Sequence, residues 1–288
     1  MPVDRIGRTA FVMAGGGSLG AVEVGMLQAL LDAGERPDLI VGASAGAINA
    51  AYFAFDPTAD GIARLSAIWC GLRRSDVFPF SLANLFGALT GRDHLCGHDG
   101  LRGLLVRHLG DRALQDAPLP LHVVASDLAS GDEVLLSRGS AVEAVLASAA
   151  IPGVFPPVAI DGRLLVDGGV ANNTPISSAI RLGATRIIVL PTGFACAMRK
   201  LPSNAIARAM HALSLLVVRQ LLNDIERYRP TVDLHVVPGL CPLDVSPYDY
   251  SASSLLIDRA VETTSRWLDE GGLQRRDIPM QSMVHTHD

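Results

Sequence analysis

Leu39-Ile40-Val41-Gly42-Ala43-Ser44-Ala45-Gly46-Ala47 is the stretch whose reading decides the fold. Three branched apolar residues read as a buried strand. The strand stops abruptly at a serine flanked by small residues, and a helix-compatible run, Ala47 to Phe55, follows. This is the sequence form of a nucleophile elbow, a sharp strand-to-helix turn that pushes one hydroxyl into an open site. Such a turn puts the serine in a strained backbone conformation and leaves no room for side chains beside it, so Gly42 and Gly46 answer a steric need. The helix behind Ser44 aims its unpaired N–H groups at any negative charge that forms there.

Outward from the elbow, strand and helix alternate. Thr9 to Ala14 reads as a short buried strand broken by Gly15-Gly16-Gly17, and Ser18 to Ala33 as a helix stopped by Gly34. Leu121–Ser126 and Glu133–Leu136 read as strands and Ala141–Ala149 as a small-residue helix. Asp161-Gly162, between Val158–Ile160 and Arg163–Val166, is a strong hairpin signal. Helix Ile176–Leu182, strand Arg186–Leu190, helix Ile206–Tyr228, strand Asp233–Val237 and helix Ser254–Leu268 complete the series. The expectation is one three-layer α/β/α domain over residues 1–272, with a central, mostly parallel sheet covered on both faces. Residues 273–288 read as a polar tail.

Bulk properties narrow the function classes. The 288 residues are 49% hydrophobic and 18% charged, yet no apolar run reaches the ~20 residues of a membrane span. A net charge of −5 lacks the basic footprint of a nucleic-acid binder. Cys70, Cys96, Cys196 and Cys241 are scattered without C-x-x-C spacing, which suits reduced thiols. No secretory signal is visible at the N-terminus. Together these point to a cytoplasmic protein, with peripheral membrane contact left open; the oligomeric state is not legible.

Gly15 to Gly20, G-G-G-S-L-G, also satisfies the dinucleotide pattern G-x-G-x-x-G after a strand and before a helix. That reading requires an acid at the end of the next strand, about 20 residues on, and that strand ends instead in Gly42-Ala43-Ser44. The loop is better used as an oxyanion hole, with the N–H groups of Gly15, Gly16, Gly17 and Ala45 as donors. A tight turn needed only for packing is the bland alternative. A serine hydroxyl needs a base. No histidine has a convincing context: His94 and His98 flank Cys96 in a polar loop without a matching second pair for a metal, His122 and His235 sit in strands, and His285 and His287 lie in the tail. Asp167 ends the strand Leu164-Leu165-Val166 and precedes Gly168-Gly169, so it is placed to enter a pocket at the sheet's edge. An ordinary turn aspartate would look the same.

These residues carry a family resemblance. G-G-G-S-L-G (15–20), G-A-S-A-G (42–46) and D-G-G (167–169), with Ala125-Ser126-Asp127-Leu128, Gly131 and Ser148 to Pro157, resemble the patatin-like phospholipases and stand in the family's order over residues 9–190. The resemblance implies a Ser44–Asp167 dyad with the aspartate as general base. It also implies an oxyanion hole from the 15–17 backbone, Gly20, Gly42, Gly46, Gly168 and Gly169 as supports, and hydrolysis of a lipid ester without metal or other cofactor. The family often has Arg or Lys where this chain has Leu19, a departure that removes a charge from the loop. A catalytically silent lipid-binding module on the same fold is the alternative; intact Ser44, Asp167 and glycines speak against it.

Phe78-Pro79-Phe80, Leu82, Leu85, Phe86 and Leu89 form an apolar stretch with almost no charge. Over residues 78–89 a lid or membrane-contact patch and a buried helix are equally open readings.

Overall fold

A computed structural model describes residues 7–78, 94–193, 205–243 and 245–275, with the side chains of 205–207, 209–211 and 213 outside that description. The elements run β1 (Thr9–Met13), α1 (Gly20–Asp32), β2 (Leu39–Ala43), α2 (Ala45–Phe55), α3 (Ala59–Gly71), α4 (Arg74–Val77), α5 (Asp99–Leu109), β3 (Leu121–Asp127), β4 (Glu133–Leu136), α6 (Ala141–Ser148), β5 (Val158–Ile160), β6 (Arg163–Asp167), α7 (Gly169–Asn172), α8 (Ile176–Arg181), β7 (Arg186–Leu190), α9 (Ala205–Tyr228), β8 (Asp233–Val236) and α10 (Ser253–Asp269). Most of the expected polar tail and all of the apolar stretch beyond Phe78 lie outside the described residues. Leu273, at the start of that tail, packs on the core.

Eight strands form one sheet in the series β5-β6-β3-β2-β1-β7-β8, with β4 also paired to β3. β3-β2-β1-β7-β8 is parallel throughout. Alternation along each strand divides the core. Phe11, Met13, Ile40, Val123, Ile188 and Leu190 face one cluster, with α1, α2, α6 and α10 packed on it. Ala10, Val12, Leu39, Val41, Ile187 and Val189 face the other, with α8 and Ile225 of α9. Helices therefore cover both faces of a mostly parallel sheet, the three-layer arrangement read from the sequence. The Asp161-Gly162 hairpin forms as expected: both residues take positive φ (51° and 76°), and Ile160 pairs with Arg163.

Helices α3 and α5, in the insertion between elbow helix and β3, were not among the expected elements. Their signals are present: Thr58 caps α3 by accepting from the Gly61 N–H, and Ile62, Leu65 and Trp69 share its buried face. Leu101, Leu105 and Leu109 do the same at intervals of four in α5. Among the described residues no helix is long and apolar enough to cross a membrane.

One feature of the sheet positions the site. β4 shares Val123 and Val124 of β3 with β2, and Ala125 and Ser126 with β6. A strand has two edges, so β2 and β6 must both lie on the edge opposite β4. They meet there end to end: Ala43 pairs with Val124, and Asp167, arriving antiparallel, pairs with Ala125. The residues that end these two strands are thereby brought face to face.

Candidate active site

Ser44 sits between β2 and α2 with φ 53° and ψ −122°, one of two non-glycine residues with positive φ in the described chain. L-residues seldom hold such a conformation unless the surroundings impose it. The imposition is visible. A Cβ on Gly46 would lie 2.5 Å from the Met13 carbonyl oxygen, and one on Gly42 would lie 2.4 Å from the Gly46 oxygen. The Ser44 N–H donates to Ser148 Oγ (2.9 Å), which in turn donates to the Val124 carbonyl (2.5 Å).

The Ser44 hydroxyl donates to Asp167 Oδ2 at 2.6 Å, and the Gly169 N–H donates to Oδ1 at 2.7 Å. The segment leaving α6 grips the aspartate's backbone: Asp167 N–H donates to the Ala150 oxygen (2.9 Å) and Gly168 N–H to the Ser148 oxygen (3.0 Å). Ser126 Oγ donates to the Asp167 carbonyl. Gly168 lies against the Val124 carbonyl, where a Cβ would come within 2.2 Å. Burial pushes the Asp167 carboxyl up to about 6, against the hydrogen bonds from Ser44 and Gly169 that favour its ionised form.

The glycine loop closes the third side. Gly15 abuts Ser44: a Cβ on it would stand 3.0 Å from Ser44 Cβ. Its N–H donates to the Asn173 carbonyl (3.1 Å), and its own carbonyl accepts from Asn173 Nδ2 (3.2 Å) and Thr192 Oγ1 (2.9 Å). Gly15 thus differs from its expected part as an oxyanion donor; it ties the loop to the segment after Asp167. The N–H groups of Gly16, Gly17 and Ala45 have no acceptor among the described residues. Gly17 takes φ 59°. Gly20 lets Trp69 and Ala45 approach α1.

Ser44, Gly17 and Ala45 border an apolar cleft whose walls include Ile48 and Tyr52 of α2, Leu65 and Trp69 of α3, Leu101 and Leu104 of α5, Phe155 and Tyr250. Ala45, Ile48 and Tyr52 follow helical spacing, so one stripe of α2 runs from the serine along the cleft. Phe78, the described end of the apolar stretch, is a buried part of this wall and stacks on Phe155 at 5.4 Å between centroids. His98 does not reach the serine–aspartate pair; its Nε2–H donates to the Pro156 carbonyl and its ring stacks on Phe155. Among the described residues no group of three His, Cys, Asp or Glu is arranged to hold a metal ion.

Several residues went unassigned in the sequence reading. Glu23, fully buried, accepts the Ala14 N–H with Oε1 (2.7 Å) and Asn49 Nδ2 with Oε2 (2.8 Å), while Asn49 Oδ1 accepts from Trp69 Nε1 (2.7 Å). This network links the end of β1, just before the glycine loop, to the cleft wall; burial pushes the Glu23 carboxyl well up. An acid within the apolar face of α1 was its signal. Asn173 carried none, and Ser148 stood at the start of the 148–157 stretch without a role of its own, because small polar residues near a turn have many ordinary uses.

A family model described as patatin-like phospholipase matches residues 11–180. The chain is 36% identical over 166 residues to an uncharacterized NTE family protein of Mycobacterium tuberculosis, which covers 57% of this chain and 27% of that protein. It is 30% identical over 186 residues to patatin-like phospholipase domain-containing protein 7 of Rattus norvegicus (64% of this chain, 13% of the relative). It is 29% identical over 182 residues to a lysophospholipase, nte1, of Aspergillus terreus (63% and 12%). The chain thus spans about a quarter or less of the length of these relatives.

Proposed function

The chain belongs to the patatin-like phospholipase family, and from that premise we propose that it is a serine hydrolase of lipid esters, with Ser44 as nucleophile and Asp167 as general base. The observation that carries the reading is the 2.6 Å hydrogen bond from Ser44 Oγ to Asp167 Oδ2, made at the wall of an apolar cleft.

Asp167 takes the hydroxyl proton as Ser44 Oγ bonds to the acyl carbonyl carbon. The oxyanion settles on the N–H groups of Gly16, Gly17 and Ala45, which face no competing acceptor among the described residues. Protonated Asp167 returns the proton to the departing alcohol oxygen as the ester C–O bond breaks. Water then attacks the acyl-enzyme, gives its proton to Asp167, and the fatty acid leaves as Ser44 recovers that proton. A carboxyl near 6 suits both halves of the cycle better than one at its usual value, because it is ionised at neutral pH yet holds the proton longer. The acyl chain lies along the stripe Ala45, Ile48, Tyr52, where each buried methylene contributes about 0.8 kcal/mol. A lysophospholipid or phospholipid ester is the substrate class this reading favours.

A fluorophosphonate probe tests the reading. Labelling at Ser44, lost in Ser44→Ala and strongly slowed in Asp167→Asn, is the expected result. A folded wild type that resists the probe with and without micelles would overturn it in favour of a silent lipid-binding module.

A further inference from the structure

The donors assigned to the oxyanion come from two segments. Gly16 and Gly17 belong to the loop between β1 and α1, and Ala45 to the first turn of α2. Donors stabilise an oxyanion only when they are fixed in advance at about 3 Å from it, so the spacing of loop against helix is part of the chemistry. Side chains and N–H groups of the loop itself are engaged elsewhere. Gly15 is tied to Asn173 and Thr192, and Ser18 donates to the carbonyls of Pro247 and Ser246. Leu19 is buried and offers no polar group.

A buried polar chain crosses from α2 to both ends of this loop. Asn49 follows Ala45 by one helical turn, on the same face of α2. Its Nδ2 donates to the carbonyl of Gly20, the residue after the loop (2.8 Å), and to Glu23 Oε2 (2.8 Å). Glu23 Oε1 accepts the N–H of Ala14, the residue before the loop, at 2.7 Å; the same N–H reaches the Leu190 carbonyl at 3.3 Å. The chemistry of the partners leaves one arrangement. Trp69 Nε1–H can only donate and the Gly20 carbonyl can only accept, so Asn49 turns Oδ1 to the indole and Nδ2 to Gly20 and Glu23. The Ala14 N–H also only donates. Position 23 must therefore accept with both of its terminal atoms, which a carboxylate does and a side-chain amide cannot. Glu23 has no exposed surface, and an apolar side chain there would cost the interior far less.

We propose that Glu23 is a positioning residue for the ester hydrolysis. With Asn49 it sets the glycine loop against α2, so that the Gly16 and Gly17 N–H groups converge on the same oxygen as the Ala45 N–H. The inference rests on the ester-hydrolase reading and adds to it an acceptor pair, remote from substrate, on which the rate depends.

Glu23→Gln tests this with little change of size. Its amide nitrogen faces either Asn49 Nδ2 or the Ala14 N–H, so one of the two ties is lost in either orientation. Wild type and variant are compared in hydrolysis of p-nitrophenyl octanoate across pH 5 to 8, with urea unfolding alongside. On the upper plateau kcat is expected to fall about tenfold while KM stays within about twofold. That is less than the ~10²–10³ cost of deleting an oxyanion donor, because the donors are displaced and not removed. The midpoint near 6, assigned to Asp167, is expected to stay. A purely structural role would lower the unfolding free energy and leave kcat of the folded protein intact, and that result overturns the proposal. So does a raised KM with kcat unchanged, which would confine the network to the cleft wall, or a shifted midpoint, which would route the effect through Asp167. If the glutamine variant does not fold, Asn49→Ala, which removes the tie to Gly20, is read by the same three measures; failure of both to fold overturns the proposal by making the network a requirement of the core. A folded wild type without turnover would overturn the ester-hydrolase reading together with this one, whereas an active wild type with an equally active Glu23→Gln overturns this one alone.

Discussion

If Asp167 is the base for Ser44, acidification should switch the serine off well above the usual carboxylate range. The carboxyl is buried and pushed from 3.8 to about 6, with the Ser44 and Gly169 hydrogen bonds opposing that rise. A base acts only when ionised. With a pKa near 6, about a tenth of the molecules are competent at pH 5 and about nine tenths at pH 7. The rate constant for fluorophosphonate inactivation should therefore climb about tenfold between those values, with its midpoint near 6. An aspartate at its ordinary value would already be more than about 90% ionised at pH 5 and would leave the profile nearly flat. The assay is residual probe labelling against time at half-unit pH steps, with circular dichroism to establish that the fold persists. A flat profile from pH 5 to 7 would refute the reasoning. So would a limb that disappears in His98→Phe, because it would assign the titration to the imidazole stacked on Phe155.

The same shift predicts a conflict between stability and activity. Folded Asp167 binds its proton more tightly than the unfolded chain does, so its favourable contribution is complete below the unfolded pKa and is lost as pH rises through about 6. The loss is of order 3 kcal/mol, so Asp167→Asn should exceed wild type by about 2–3 kcal/mol in urea unfolding at pH 8, and the gap should close by pH 4. A gap that ignores pH would contradict the assignment. In the cleft, Ile48→Trp places a larger side chain on the stripe that leaves the serine. Denying the chain about three methylenes of contact costs about 2.4 kcal/mol, so kcat/KM for a long acyl ester should fall roughly fiftyfold relative to a butyryl ester; an unchanged ratio would move the acyl path elsewhere.

Local physics made much of this chain readable. A serine between small residues behind a short apolar strand has few conformations open to it, and Asp161-Gly162 is among the dipeptides that a tight hairpin favours. The face alternation of β1, β2 and β7 is likewise a property of strand geometry alone. Helices α3 and α5 were legible in principle, through Ile62-Leu65-Trp69 and Leu101-Leu105-Leu109, but short amphipathic runs in an insertion lack the surrounding strand pattern that draws notice.

What the sequence by itself determined is the strained elbow at Ser44, the glycine loop before α1 and an aspartate at a strand end, because each depends on residues adjacent in the chain. Only the tertiary structure decided that Asp167 meets Ser44. That contact exists because β6 runs antiparallel along the same edge of β3 that β2 has just left, a matter of register between segments more than 100 positions apart. The same holds for the Gly15 N–H, which Asn173 claims from across the fold, and for the Ser148 hydroxyl under the Ser44 N–H. Hydrogen bonds between distant segments leave no periodic trace in the chain, since any small polar residue can make them and only the folded sheet determines which one does.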